Sequence, residues 1–201
     1  SPRSALFFII ATIVFFILTT YFINRICFVL SPVAIGLILF YSYTKRFTRW
    51  CHLVLGLSLS LAPIGAFLAV AGQFQILPVL FSIVVLFWVS GFDILYALPD
   101  EQFDRENKLY SVPGSFGRKK ALYISRILHL ICALLVIWIG LYGNFGKLYW
   151  TGSVIFIALL AYQQQLITPG DISKVNLAFA TTNGIASVVF ATFVCLDLYC
   201  K

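Results

Sequence analysis

The 201 residues are 61% hydrophobic and only 10% charged, with mean hydropathy +0.99, against about 45–50% apolar and about 25% charged in a soluble domain. No water-soluble fold hides that much apolar surface. The net charge of +7 comes without an aromatic-basic platform or a base-reading motif, so nucleic acid is not an expected partner.

A bilayer core takes about 20 apolar residues per helix. Seven runs meet that length, at about 5–23, 26–43, 52–70, 74–98, 121–142, 148–167 and 175–199. They are continuous rather than alternating, which predicts helices and not barrel strands. The expected fold is an all-α membrane protein, one transmembrane domain over 1–201 with a polar cap at about 99–120. The first run is too long for a signal-peptide core and lacks a small-residue cleavage site. Pro32, Pro63 and Pro78 fall inside spans and predict kinks. Gly56, Gly65 and Ala66 predict close helix contact. Cys27, Cys51, Cys132, Cys195 and Cys200 are scattered with no ligand spacing and read as small packing residues. The chain starts Ser1-Pro2-Arg3 and contains no Met, which predicts a fragment or a processed product.

Loop cations set the orientation. Arg3, Lys45, Arg46, Arg49, Arg105, Lys108, Arg118, Lys119, Lys120 and Lys174 fall on one side, and Arg25, Lys147 and Lys201 on the other, with Arg126 inside the fifth run. The basic side is expected in the cytoplasm, against anionic lipid or an anionic substrate.

The stretch 91–120, GFDILYALPDEQFDRENKLYSVPGSFGRKK, carries the chemistry. Asp93 lies near the end of an apolar run, where a carboxylate is expensive and marks a functional site by default. Asp100 and Asp104 follow at i+7 and i+11. At 100° per residue both offsets return to within about 20° of the starting direction, which predicts one acidic stripe with Tyr96 beside it. Carboxylates so grouped repel unless a cation neutralises them, and carboxylates that bring Mg²⁺ to a substrate phosphate are a standard arrangement. Arg105, Lys108, Arg118, Lys119 and Lys120 are near enough in sequence to hold phosphate oxygens. The competing reading is a solvated loop whose acids and bases pair. Pro99 predicts a broken helix at this point.

The pattern Asp93-x-x-Tyr96-Ala97-x-x-Asp100-x-x-Phe103-Asp104, followed by Leu109-x-Ser111-x-Pro113 and Phe116-Gly117, resembles the second aspartate-rich motif of the UbiA family. These are intramembrane aromatic prenyltransferases of the 4-hydroxybenzoate polyprenyltransferase kind. Tyr41-Ser42-Tyr43-Thr44-Lys45-Arg46, Tyr162-Gln163-Gln164-Gln165 and Asn183-Gly184 are weaker matches. The resemblance implies a bundle of nine helices, of which seven are present, and two aspartate motifs that hold Mg²⁺ and a polyprenyl diphosphate. The first motif, NDxxDxxxD, is not in this sequence, so a missing N-terminal segment or a split partner is expected, and low activity of this chain alone. By resemblance Asp93, Asp100 and Asp104 bind Mg²⁺, Lys45 and Arg46 contact the diphosphate or the aromatic acid, and Tyr96 lies by the acceptor or the developing cation. The implied reaction is transfer of a polyprenyl group to an aromatic acid such as 4-hydroxybenzoate, in quinone biosynthesis at the cell inner (plasma) membrane. A multi-span transporter or channel, or a non-catalytic remnant, is the alternative.

Seven further polar positions stand inside or beside spans. Arg126 and His129 share a helix face and read as a structural pair or as cavity lining. His52 is expected at the membrane interface. At least one of Gln163, Gln164 and Gln165 is expected to turn inward and hydrogen-bond another helix, and Asn183 needs a partner.

Overall fold

The structure, a computed structural model, describes residues 2–200; Lys201, assigned above to the less basic side, lies outside the described residues. Among these the chain is all helix: α1 (Pro2–Ile23), α2 (Arg25–Thr44), α3 (Cys51–Ala71), α4 (Ile76–Tyr96), two short helices α5 (Glu101–Glu106) and α6 (Val112–Phe116), then α7 (Arg118–Tyr142), α8 (Lys147–Gln165) and α9 (Asn183–Tyr199), the last entered through a π-helical segment, Leu177–Thr182. Short turns join the long helices, so successive ones run antiparallel. One face of the bundle gathers the end of α2, the start of α3, the end of α4, the short helices and the start of α7.

Six segments are long and apolar enough to cross a membrane: α1, α2, α3, α4, α7 and Leu177–Tyr199. The chain is a multi-pass membrane protein. The seventh expected span, α8, has 19 residues but is less apolar. Three of its polar residues, Ser153, Gln163 and Gln164, are buried, as is Gly152. Gly152 admits the Phe193 side chain of α9, 2.5 Å from where a Cβ would stand.

Local chemistry sets the helix ends. Asn24 accepts from the Cys27 amide (2.9 Å) to start α2 and donates to Leu68 O (2.8 Å) at the end of α3. Gly72, at φ +64, then reverses the chain in a conformation that favours glycine. At the same membrane face Asp197, near the end of α9, accepts from the Gly146 and Tyr149 amides (2.7 and 3.2 Å) and so caps α8. Pro32 and Pro63 lie inside helices as expected, and near Pro63 the Ile64 amide donates instead to Ser82 Oγ on α4 (3.2 Å). Pro78 does not kink α4. It stands in the first helical turn, where no intrahelical bond is lost. All five cysteines are free.

Two buried clusters hold the bundle. One runs through α4, α7, α8 and α9 around Val84, Cys132, Val136, Tyr149, Phe156 and Ala186. The other lies under the polar cap, around Ile94, Leu98, Val112, Leu122, Ile167 and Ala178. The cap at 99–120 is thereby seated on the end of the bundle.

Candidate active site

The expectation of one acidic stripe on a single helix is corrected by the chain path. Helix α4 ends at Tyr96. Residues 97–100 form a tight turn in which the Leu98 amide donates to Leu95 O and the Asp100 amide to Ala97 O. Pro99, lacking an N–H, sits in that turn. Asp93 therefore belongs to α4, whereas Asp100 precedes α5 and Asp104 lies within it.

The turn still produces a convergence. Asp100 and Asp104 are four residues apart, on one face of the short helix. Both point at Lys45, the residue after α2. Its Nζ lies 3.3 Å from each Asp104 oxygen and 3.8 Å from Asp100 Oδ2. The Tyr110 amide donates to the Lys45 carbonyl (2.6 Å), so the cap fixes the backbone from which this lysine reaches. The Asp104 side chain is 1% exposed and that of Asp100 is 54% exposed. The pair thus joins a buried carboxylate to an open one.

Asp93 has a different partner. His52, in the first turn of α3, donates from Nδ1 to Asp93 Oδ2 at 2.7 Å. The Val112 amide donates to His52 Nε2 (3.3 Å). A backbone N–H only donates, so in this geometry Nε2 accepts and the proton shared with Asp93 is on Nδ1. The imidazole thereby links α3, the end of α4 and the start of α6. Cys51 beside it points its thiol at Tyr110 O (3.7 Å).

Glu101 organises the remaining cations. It takes Arg105 on one oxygen and Arg118 on the other, each at 3.0 Å. Arg105 also donates to Gly114 O (3.0 Å). The φ of +77 at Gly117 turns the chain directly from α6 into α7 beside this cluster.

The structure thus brings together Lys45, Asp100 and Asp104, holds Asp93 on a histidine, and joins Arg105 and Arg118 through Glu101. Arg46 leans over the Tyr43 ring (5.3 Å) instead of joining them. Lys108, in a left-handed turn at φ +55, makes no ion pair among the described residues. Tyr96 is half exposed and stacks on Phe179 of the π-helical segment (4.1 Å between ring centres). His52, in the first turn of α3, is buried by protein. It and Glu101 are the two positions that sequence reasoning did not assign to the site. A signal for His52 did exist: in an antiparallel α3–α4 hairpin, residues 52 and 93 are nearly equidistant from the turn at 72–75.

The intramembrane polar residues also find partners. His129 and Arg126 do not pair. His129 Nε2 donates to Trp88 O (3.3 Å), and its Nδ1 accepts from Gln164 Nε2 (2.9 Å). Gln164 Nε2 also donates to Ser125 Oγ (2.8 Å), which donates to Gly91 O (2.7 Å). Gln163 Nε2 donates to Ala178 O (2.7 Å) and Asn183 Oδ1 (3.1 Å), which ties α8 to the π-helical segment. Arg126 is exposed.

A family profile, the UbiA prenyltransferase family, matches residues 1–194. This chain belongs to the UbiA prenyltransferase family. Among its relatives, a 4-hydroxybenzoate octaprenyltransferase of Francisella tularensis subsp. mediasiatica (strain FSC147) is 28% identical over 190 residues, covering 94% of this chain and 66% of the relative. A protein of the same name from Pseudoalteromonas translucida (strain TAC 125) is 32% identical over 163 residues, covering 81% of this chain and 55% of the relative. The chain thus spans just under two thirds of the length of the first of these and about half of the second. The apo structure of a UbiA homolog from Aeropyrum pernix K1 superposes with a TM-score of 0.88 at 24% identity, over 98% of this chain and 74% of that one. The likeness establishes a UbiA-like fold.

The UbiA resemblance implies Mg²⁺, and the donor set bears on that. Among the described residues no three His, Cys, Asp or Glu side chains converge to hold a metal. Mg²⁺ seldom uses an all-protein cage; it takes one or two carboxylates and completes its shell with water and substrate phosphate. Asp100 and Asp104, already turned to one ammonium group, are hard oxygen donors of that kind and fit it.

Proposed function

We propose that this chain transfers a polyprenyl group from its diphosphate to an aromatic acid of the 4-hydroxybenzoate type. The step belongs to quinone biosynthesis, with the acid-and-base face of the bundle on the cytoplasmic side of the inner membrane. Family membership and the names of the relatives support the reaction class. The excess of cations on that face supports the orientation. The observation that carries the reading is the convergence of Asp100 and Asp104 on Lys45 at the face of the bundle where α4 ends, the helix whose Asp93 is held by His52.

In this reading Asp100 and Asp104 would hold Mg²⁺, and His52 fixes the orientation of the Asp93 carboxylate. An ion held by these carboxylates would supply positive charge to the departing diphosphate. Lys45 exchanges its carboxylate contacts for phosphate oxygens. Arg105 and Arg118, held in place by Glu101, present further N–H groups to the same anion. The face of Tyr96, backed by Phe179, favours the allylic cation. Phenol attack on that cation completes the new bond, and the ring proton leaves to a carboxylate or to the released diphosphate. An isoprenoid tail is as apolar as lipid, which accounts for a site at the end of a membrane bundle.

The sequence holds one acidic motif, so transfer by this chain alone is expected to be slow until a segment carrying NDxxDxxxD is supplied. Labelled polyprenyl diphosphate and 4-hydroxybenzoate are assayed with the chain alone and with such a segment. Asp93→Asn and Asp104→Asn are each expected to lower transfer at least about a hundredfold without loss of helical signal. Full transfer by both variants, or no transfer by either unaltered preparation, sinks the proposal.

A further inference from the structure

The candidate site does not use every cation on its face. Lys45, Arg105 and Arg118 are each neutralised by an acid. Lys119, Lys120 and Arg126 are not: none makes an ion pair among the described residues. These three line one groove of about 500 Å³ together with Leu122, Tyr123 and Pro169. Asp171, on the same loop as Pro169, turns its carboxylate to the Ser173 amide (2.9 Å).

The groove continues into an apolar stripe on α7. Tyr123, Ile127, Leu130, Leu134 and Leu141 are exposed large apolar residues on α7, and Lys119 and Arg126 fall in the same stripe at helical spacing. Seven residues separate Lys119 from Arg126, a rise of about 10 Å. Arg126 therefore lies well inside the span and is exposed, where an unpaired guanidinium is costly. Its long side chain can lead the charge back toward Lys119 and Lys120. What remains is positive charge in a concave site at the end of an apolar track.

We propose that this groove binds the headgroup of an anionic glycerophospholipid, with its phosphate against Lys119, Lys120 and Arg126 and an acyl chain along Ile127, Leu130 and Leu134. Basic pockets between transmembrane helices take anionic headgroups by the same electrostatics. The site is separate from the acidic cluster, because Arg118 turns to Glu101 while the next two lysines are exposed at the groove. A soluble phosphate lacks the chain that the apolar stripe would hold, so the occupant is an amphiphile of the membrane.

The test is native mass spectrometry of this chain in detergent, titrated with dioleoyl phosphatidylglycerol or dioleoyl phosphatidylcholine. One phosphatidylglycerol is expected to be retained in preference to phosphatidylcholine. Arg126→Gln lowers that preference about fivefold, and Lys119→Gln with Lys120→Gln lowers it further, at about fivefold for each charge removed. Arg126→Lys keeps most of it, and unchanged thermal unfolding shows that the variants fold. Equal retention of both lipids overturns the proposal. So does an equal loss for Lys174→Gln, a cation outside the groove, because that marks a diffuse field rather than a site. Displacement of phosphatidylglycerol by equimolar geranylgeranyl diphosphate also overturns it, and assigns the groove to the isoprenoid substrate.

Discussion

Helices α1 and α2 differ from α4 and α7 in how they pack, although all four are apolar enough to span a bilayer. Only 6% of the most apolar window of α1 or of α2 is buried in the protein, against 44% for α4 and 39% for α7. Lipid demands apolarity of every span alike, so apolarity does not sort loosely packed helices from closely packed ones. Small residues and hydrogen bonds between helices do. Helix α1 has no glycine, and the hydroxyls of Thr12, Thr19 and Thr20 turn back onto its own carbonyls. Its contact with α2 leaves an apolar groove of about 300 Å³ between Phe8, Ile9, Phe16, Ile35 and Ile38. In the central region, by contrast, Gly56 leaves no room for a Cβ against Ser90 and Leu86, and Gly91 leaves none against the His129 ring.

The sharpest way to break this contrast is to add one methyl group to each region. Gly91→Ala drives a Cβ into His129, whose ring is fixed by Trp88 O and Gln164. The expected loss is about 1–3 kcal/mol of stability. Gly36→Ala in α2 meets nothing within 4 Å and is expected to be neutral or to stabilise by up to about 1 kcal/mol, because alanine is the better helix former. Thermal unfolding of both variants in one detergent decides the matter, and equal shifts would abolish the distinction.

A smaller effect is expected where α8 meets the π-helical segment. There Gln163 supplies a donor to the Ala178 carbonyl and to Asn183. Gln163→Leu removes both bonds at a cost of about 1 kcal/mol, typical of hydrogen bonds between membrane helices. Backbone amide exchange at 177–182 is expected to quicken. Thr12→Val in α1, which removes only a bond within one helix, leaves both exchange and stability unchanged. Unaltered exchange in the Gln163 variant would show that the amide is a bystander.

The spans were legible because bilayer thickness fixes both their length and their composition, and the structural helix ends lie within a few residues of the sequence reading. Helix α8 is the least obvious of them by composition, because Ser153, Gln163 and Gln164 face the interior and lower its apolarity while serving its packing. The acidic motif was legible as residue types but not as geometry. Spacing alone placed Asp93, Asp100 and Asp104 on one helix, whereas the turn at Pro99 set Asp100 just before α5 and Asp104 within it and delivered both to Lys45. No local pattern marks Lys45 as their partner, since it lies 59 residues from Asp104. His52 was hidden for the same reason: a histidine at the start of an apolar run looks interfacial until α4 is laid beside it. Arg126 and His129 share a face by spacing, but one is exposed at the groove and the other bonds to Gln164, a division that only the neighbouring helices decide.

The least effect is expected outside the bilayer, where burial no longer separates one region from another. Asp171 lies in the exposed turn between α8 and the π-helical segment. Hydrogen bonds from the Ser173 side chain and amide, with Lys174 nearby, hold its carboxyl below the ordinary value of 3.8. A carboxyl lowered in the folded state stabilises the fold above its unfolded value, and the contribution disappears as pH falls through the lowered one. The turn is therefore expected to stay ordered from neutral pH down to the ordinary carboxylate range and to loosen only in stronger acid. Carboxyl-carbon NMR titration should place the midpoint of Asp171 below 3.8, with the Ser173 amide resonance moving in the same step. Asp171→Asn should abolish that step while global unfolding stays the same, because a fully solvated turn contributes little to a bundle held together inside the membrane. A midpoint at or above the ordinary value would mean that the Ser173 contacts do not persist in solution.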